Sequence, residues 1–257
     1  LALLAHMGPD PDRAAQQFTV HDIGTLPSDT WSSARAINDF GQVVGESYGS
    51  VAPSAFVWSR STGIQPLPLP AGMAIGTPAG ASGINSNGQI SGIAVFRGIL
   101  WDGSVVTDLT ALPGGTNFVA FGVNDSGTVI GSRDLTNETA AVANGGMVSA
   151  LSKLNATDSF SRALAINNRG DIVGQSGGSA VIWTSQVPAE LSSSASALAI
   201  NDTNGIAGVQ TGPGQSFQAL WWLSGVPDIL PHPSSIFGSV ANGINDANIV
   251  VGHGGPA

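Results

Sequence analysis

One short phrase occurs six times in this chain. It reads "ARAINDFGQVVGES" (34–47), "ASGINSNGQISGIA" (81–94), "AFGVNDSGTVIGSR" (120–133), "ALAINNRGDIVGQS" (163–176), "ALAINDTNGIAGVQ" (197–210) and "ANGINDANIVVGHG" (241–254). The repeated asparagines, Asn38, Asn85, Asn124, Asn167, Asn201 and Asn245, stand 47, 39, 43, 34 and 44 residues apart. A period near 40 admits a propeller blade or a helical-hairpin solenoid. The residues decide between them. Each copy runs from small residues and Ile or Val to Asn, through a short polar turn, into a β-branched run closed by Gly. That is strand–turn–strand, with no helical periodicity.

The turn has a second signature. Three positions after each Asn stands Gly41, Gly88, Gly127, Gly170, Asn204 or Asn248. A position that accepts Gly and otherwise Asn marks positive φ, where a Cβ is costly and Asn tolerates it best. Each phrase is therefore expected to be a hairpin whose corner is a type I turn ending in a left-handed residue. Past each hairpin comes a third strand, "AFVW", "GILW", "AAVA", "AVIW" or "ALWW", and then a fourth ending near Leu, as in "VVTDL" and "VPAEL".

Four antiparallel strands per unit and six units predict an all-β, six-bladed β-propeller over residues 1–257 as a single domain. The Ala four residues before each Asn suits a crowded innermost strand. The Trp at 58, 101, 183 and 222 suits packing between blades. The sixth unit ends after two strands, so N-terminal strands are expected to complete it. "FTVHDIGTLP" (18–27) matches the fourth-strand segments, and "ALLA" (2–5) resembles the third strand "AAVA". The opening "LALLAHM" reads equally as the end of a signal-peptide apolar region or as a cloning remnant.

Composition narrows the partners. Eight basic against 17 acidic residues, a net charge of −9, leave no basic run to hold a phosphate backbone, which argues against nucleic acid. No apolar run approaches the roughly 20 residues of a membrane-spanning helix. Cys is absent, so there is neither a disulfide framework nor a thiolate site. The four His lack ligand spacing, and neither "HExxH", "GxSxG" nor a phosphate-binding Gly loop occurs; no metal or cofactor is expected.

The repeated unit "DIGTLP…A-x-AIN-x-x-G-x-VVG-x-S…A-x-x-W" resembles the HAF-repeat family of probable extracellular bacterial proteins, from about Phe18 to Gly252. Units five and six depart from it by placing Asn at the turn Gly. The resemblance implies an extracellular or cell-surface location and supplies no catalytic residues.

Function is expected on the irregular loops rather than in the repeated phrase. Just before the innermost strand, four units place an aromatic at nearly one offset: Trp31, Phe118, Phe160 and Phe237. With the polar neighbours Asn117 and Asp158 they could form a sugar-stacking site, ring against C–H face and polar groups against hydroxyls. The plainer alternative is that the rings plug the blade ends. A second set follows the Gly of the second strand: Glu46, Ile93, Ser132, Gln175, Val209 and His253. There, Tyr48 with His253, Glu46 and Arg133 would suit a polysaccharide lyase if they converge. A sialidase would need three clustered Arg, and the seven Arg here are scattered.

The leading expectation is a secreted, non-enzymatic binding scaffold for a glycan or cell-surface polymer. The alternatives are a carbohydrate-active enzyme and a protein–protein module, the latter drawing on Leu69, Met73 and Ile75 as an apolar patch.

Overall fold

The computed structural model of this chain describes residues 4–6, 20–49, 52–134, 136–211, 216–231 and 236–256, with only the backbone described at 4–6, 236, 237 and 256. Each repeated phrase is a hairpin, and the hairpins explain everything built on them. In the first, the Gly41 amide donates to the Asn38 carbonyl at 3.0 Å, closing a type I turn, and Gly41 sits at φ 72°. Asn204 (φ 63°) and Asn248 (φ 58°) take the same left-handed conformation where the later copies lack Gly. The expected turn chemistry is present in all six.

The strands are β1 (Leu4–His6), then β2 (Trp31–Ile37), β3 (Val43–Tyr48), β4 (Ser54–Ser59) and β5 (Gly63–Pro66) in blade 1. Blade 2 holds β6 (Ala79–Ile84), β7 (Ile90–Ala94), β8 (Arg97–Asp102) and β9 (Val105–Asp108), and blade 3 holds β10 (Val119–Val123), β11 (Val129–Arg133), β12 (Thr139–Asn144) and β13 (Met147–Ala150). Blade 4 is β14 (Ser161–Ile166), β15 (Ile172–Ser176), β16 (Ser179–Thr184) and β17 (Val187–Ser193). Blade 5 is β18 (Ala195–Ile200), β19 (Ile206–Thr211), β20 (Phe217–Leu223) and β21 (Val226–Ile229), and blade 6 is β22 (Ile236–Ile244) with β23 (Val250–Pro256).

Five antiparallel sheets have four strands in sequence order, and the sixth has the order β1-β23-β22. The fold is that of an all-β, six-bladed β-propeller. The chain divides into two compact units: residues 19–150, with blades 1–3, and residues 1–18 with 151–257, holding blades 4–6. N-terminal completion of blade 6 takes place through β1, whose Leu4, Ala5 and His6 pair with Gly252, Val251 and Val250. The other half of that expectation is corrected. Residues 20–27 form no strand, and among the described residues the blade 6 sheet has three strands. Asp22 instead folds locally, its carboxylate taking the Gly24 amide at 2.9 Å with Gly24 at φ 73°. Residues 18 and 19 lie outside the described residues.

Every innermost strand carries a bulge. The motif Ala pairs with the Gly of the second strand, Ala34 with Gly45 and Ala81 with Gly92, and the register then shifts by one residue. A Cβ on Gly45 would overlap the Ser33 carbonyl, and one on Gly92 the Gly80 carbonyl, so the bulge itself demands Gly there. Ala81, Ala120, Ala163, Ala197 and Ala241 are fully buried, whereas Ala34 of the first copy is exposed. Trp101, Trp183 and Trp222 are also fully buried. Each anchors its indole N–H outside its own sheet, on the Pro68 carbonyl (2.7 Å), the Ser152 carbonyl (2.7 Å) and the Ser192 hydroxyl (3.1 Å). A buried indole with its polar atom satisfied adds area without leaving an unpaired donor.

The repeated Asn does more than hold its turn. In blade 2, Asn85 Oδ1 accepts from the amides of Asn87 (3.0 Å) and Gln89 (2.8 Å), while its Nδ2 donates to the Asn124 carbonyl of blade 3 at 2.8 Å. Asn38 donates likewise to the Asn85 carbonyl at 3.0 Å. In the other unit, Asn167 donates to Asn201 (3.1 Å) and Asn201 to Asn245 (2.7 Å). Asp residues reinforce the link, with Asp125 Oδ1 taking the Ser86 amide at 2.8 Å and Asp202 Oδ1 the Asn168 amide at 2.7 Å. One conserved chemistry within the chain thus both closes each hairpin and ties it to the next blade of its unit.

Candidate functional site

With the Asn turns committed to structure, chemistry is left to the opposite ends of the blades, where the first strand begins and the second ends. In blade 1 the register pairs Trp31 with Tyr48 and Ser33 with Glu46. The Trp31 and Tyr48 rings stack with centroids 3.7 Å apart and planes within 2°. The Tyr48 hydroxyl donates to Glu46 Oε2, and Arg35 Nη2 lies 3.3 Å from the same oxygen. Glu46 has room because its neighbour lacks a side chain: a Cβ on Gly80 of blade 2 would overlap its carboxylate.

The cluster shifts its own protonation. The hydrogen bond to Glu46, then burial and the negative charge of that carboxylate, raise the Tyr48 pKa, while Arg35 pulls it down less strongly. Burial pulls the Arg35 pKa down, but the charge and hydrogen bond of Glu46 outweigh it and the net shift is upward. At neutral pH the group presents a protonated phenol, a guanidinium and an aromatic face that is half in solvent, with Trp31 54% exposed.

In blade 3, Asn117 and Arg133 share a cleft of ≈ 370 Å³ with Thr116 and Asp134. Asn117 (φ 57°) and Asp134 (φ 62°) both adopt the left-handed backbone, and Arg133 Nη1 donates to the Gly114 carbonyl at 3.2 Å. Phe118, next to Asn117, is corrected as a ligand-binding residue. It is fully buried in the blade 3 cluster with Val129 and Val148, beneath Gly98, where a Cβ would meet its ring at 2.9 Å. It is a plug.

In blade 4, Phe160 is half-buried and carries the Arg162 guanidinium over its ring, 5.4 Å from the centroid. Asp158 turns inward as a loop clamp, taking the Ser176 hydroxyl at 2.7 Å and the Asn155 amide at 3.1 Å. Those bonds, the Ser176 hydroxyl first, lower its pKa. The side chain of Phe237 lies outside the described residues. In blade 6, His253 is exposed, with Nδ1 3.0 Å from Asn242 Oδ1.

Of the residues expected to converge for lyase chemistry, the structure joins Tyr48 and Glu46. Arg133 is held in blade 3 by Gly114, and His253 is held in the other unit by Asn242. The apolar patch also shrinks. Leu69 and Met73 pack against the cluster containing Val44 and Trp101, leaving Ile75 exposed. The Trp31–Tyr48 stack and the role of Arg35 were missed from sequence. Their signal was present in the spacing on either side of the first turn, but the bulge after Ala34 shifts that count by one.

Among the described residues no group of three His, Asp or Glu side chains could hold a metal ion, and no helix is long and apolar enough to cross a membrane. No protein-family model and no curated protein matches the chain. Among solved structures it is similar to TolB from Acinetobacter baumannii, with a TM-score of 0.53 and 13% identity over 88% of this chain and 55% of that one. The chain thus spans about half the length of that structure. A selenomethionine-substituted virginiamycin B lyase from Staphylococcus aureus gives a TM-score of 0.45 and 10% identity over 85% of this chain and 94% of that one. At such identities the TolB likeness concerns the fold alone, and the lyase match is too remote to bear on chemistry.

Proposed function

We propose that this chain is a non-catalytic recognition module that binds glycans or a cell-surface polymer through the blade ends opposite the Asn turns, outside the bacterial cell or at its surface. The observation that carries this reading is the Trp31–Tyr48 stack. A ring already held by a parallel neighbour loses little freedom when a sugar settles on its open face. Glu46 and Arg35 stand beside it as acceptor and donor for hydroxyls. The HAF-like motif supports the extracellular placement. A glycan array with wild-type protein and Trp31→Ala tests the reading. Signals on a defined glycan that vanish in the variant support it; a folded wild-type sample that binds none of the array overturns it.

The enzyme alternative has one observation in its favour, the Tyr48 hydroxyl seated on Glu46. The raised pKa keeps that hydroxyl protonated, so Tyr48 suits a proton donor better than the base a lyase requires. Ultraviolet assay on uronic-acid polymers reads β-elimination directly through the new double bond. Turnover lost in Tyr48→Phe would favour the enzyme over the binding module.

A further inference from the structure

Blades 4 and 5 enclose a cleft of ≈ 410 Å³ that the motif residues do not explain. Its walls include Gln175 at the end of β15, Ser194 and Ser196 around the start of β18, Gln210 and Thr211 at the end of β19, and Phe217 at the start of β20. None of its lining residues is ionisable. Its volume falls within the ~300–1,000 Å³ common for small-molecule sites.

The cleft is held in shape. The Thr211 amide donates to the Ser194 carbonyl at 2.9 Å and the Ala195 amide to the Gly178 carbonyl at 3.2 Å, tying the walls across both blades. Gln210 Nε2 donates to Gln218 Oε1 at 3.0 Å, which fixes the orientation of its amide. The Gln175 amide has no protein partner among the described residues. Phe217, 57% exposed, adds an open ring at the rim.

We infer that this cleft binds a neutral oligosaccharide, with Phe217 stacking on a sugar face and the Gln175 and Gln210 amides bonding its hydroxyls. A primary amide offers a donor and an acceptor side by side, which matches neighbouring hydroxyls on a pyranose ring. The lining offers a charged ligand no counter-charge, and Arg162, opposite Gln175 across β14 and β15, is engaged over the Phe160 ring, so uronates, sialic acids and phosphates are disfavoured. The fixed walls and ring keep the ordering cost of binding low. The inference rests on the glycan reading above for its ligand class and its face of blade ends; the residues, the blades and the test variants are separate.

Isothermal titration with cellotriose, maltotriose and mannotriose, against digalacturonate as the acidic probe, decides the matter. At least one neutral trisaccharide should bind, digalacturonate should bind more weakly, and Phe217→Ala should weaken the neutral sugar about tenfold. Phe217→Trp should retain binding. In wild-type protein, the side-chain amide NMR signals of Gln175 and Gln210 should shift on titration, which needs no variant to fold. No binding of any neutral sugar at about 10 mM overturns the inference, as does equal binding by Phe217→Ala or a preference for digalacturonate. Binding lost in Trp31→Ala but intact in Phe217→Ala would sink this site and leave the blade 1 reading standing; the converse would do the opposite.

Discussion

The side-chain amide of Asn85 donates to the main-chain carbonyl of Asn124, 2.8 Å away and 39 residues further along, with both residues buried. The same amide group also donates to Gln89 Oε1 at 2.8 Å, while Asn85 Oδ1 accepts two amides of its own turn. One side chain therefore satisfies its full hydrogen-bonding capacity in two adjacent blades. Asp keeps the acceptor but loses both donors, so the motif needs Asn and no close substitute.

Asn85→Ala should destabilise the protein by about 2–4 kcal/mol, because it removes the inter-blade bond to the Asn124 carbonyl, which keeps only the Gly127 amide, and leaves the part-buried Asn87 and Gln89 amides without their acceptor. For a chain of this size that is a fall in Tm of about 5–15 °C by calorimetry. Asn85→Asp separates the two roles: it retains the turn acceptor, loses the inter-blade donor and should also melt early. A wild-type melt in both would show that the link between blades contributes nothing.

The second amide hydrogen follows a rule that couples neighbouring copies. Where the residue four after the Asn is Gln, as at Gln42 and Gln89, it accepts that hydrogen at 2.8 Å. Where it is Asp171 or Gly205, the left-handed Asn of the next blade accepts instead, Asn204 at 2.9 Å and Asn248 at 2.8 Å. A Cβ on Gly205 would overlap Asn248 Oδ1 and press on the side-chain ends of Ile244 (2.9 Å) and Asn201 (3.0 Å), which can yield more easily once Asn248 is gone. Gly205→Gln should be destabilising alone yet much better tolerated with Asn248→Gly, which restores the blade 1 arrangement. A double-mutant cycle in denaturant should give a favourable coupling of about 1–2 kcal/mol; additivity within about 0.5 kcal/mol would refute the rule.

How much of this was legible from residues follows from the kind of interaction involved. The hairpins, the left-handed corner and the third and fourth strands are local, and Gly41 or "AFVW" announces them directly. The split of blade 6 was legible from a missing half-unit, but "FTVHDIGTLP" misled because resemblance to a fourth strand says nothing about whether the sheet takes it up. The bulge hid the candidate site. Counting outward from Ile37–Val43 pairs Trp31 with Gly49, and only the shift after Ala34 brings Tyr48 opposite it. Phe118 stands two residues before Ala120 and Trp31 three before Ala34, so strand alternation puts Phe118 on the buried side with Ala120, under Gly98, and leaves Trp31 exposed; the near-match in offset hid that one-residue difference.

Tyr48 is the single Tyr in the chain, so phenolate absorption reports it alone. Its midpoint should lie above 10.0, the ordinary value, and fall back in Glu46→Gln. The sign for stability follows. A folded-state pKa above the unfolded one means that this contribution is fully present below the unfolded pKa and is lost as pH rises through the folded one. Wild type should therefore lose more stability than Tyr48→Phe on going from neutral to strongly alkaline pH. A wild-type midpoint at or below 10.0 would contradict the hydrogen bond to Glu46.

Recognition at the blade ends opposite the Asn turns is tested most directly by amide hydrogen exchange, with and without the oligosaccharide that gives the strongest array signal. Protection on binding should appear in peptides covering 28–34 and 46–49, or 194–196 and 209–211, with the turns at 38–42, 85–89 and 201–205 unchanged. Protection confined to those turns, with the blade ends exchanging as in the free protein, would contradict the account.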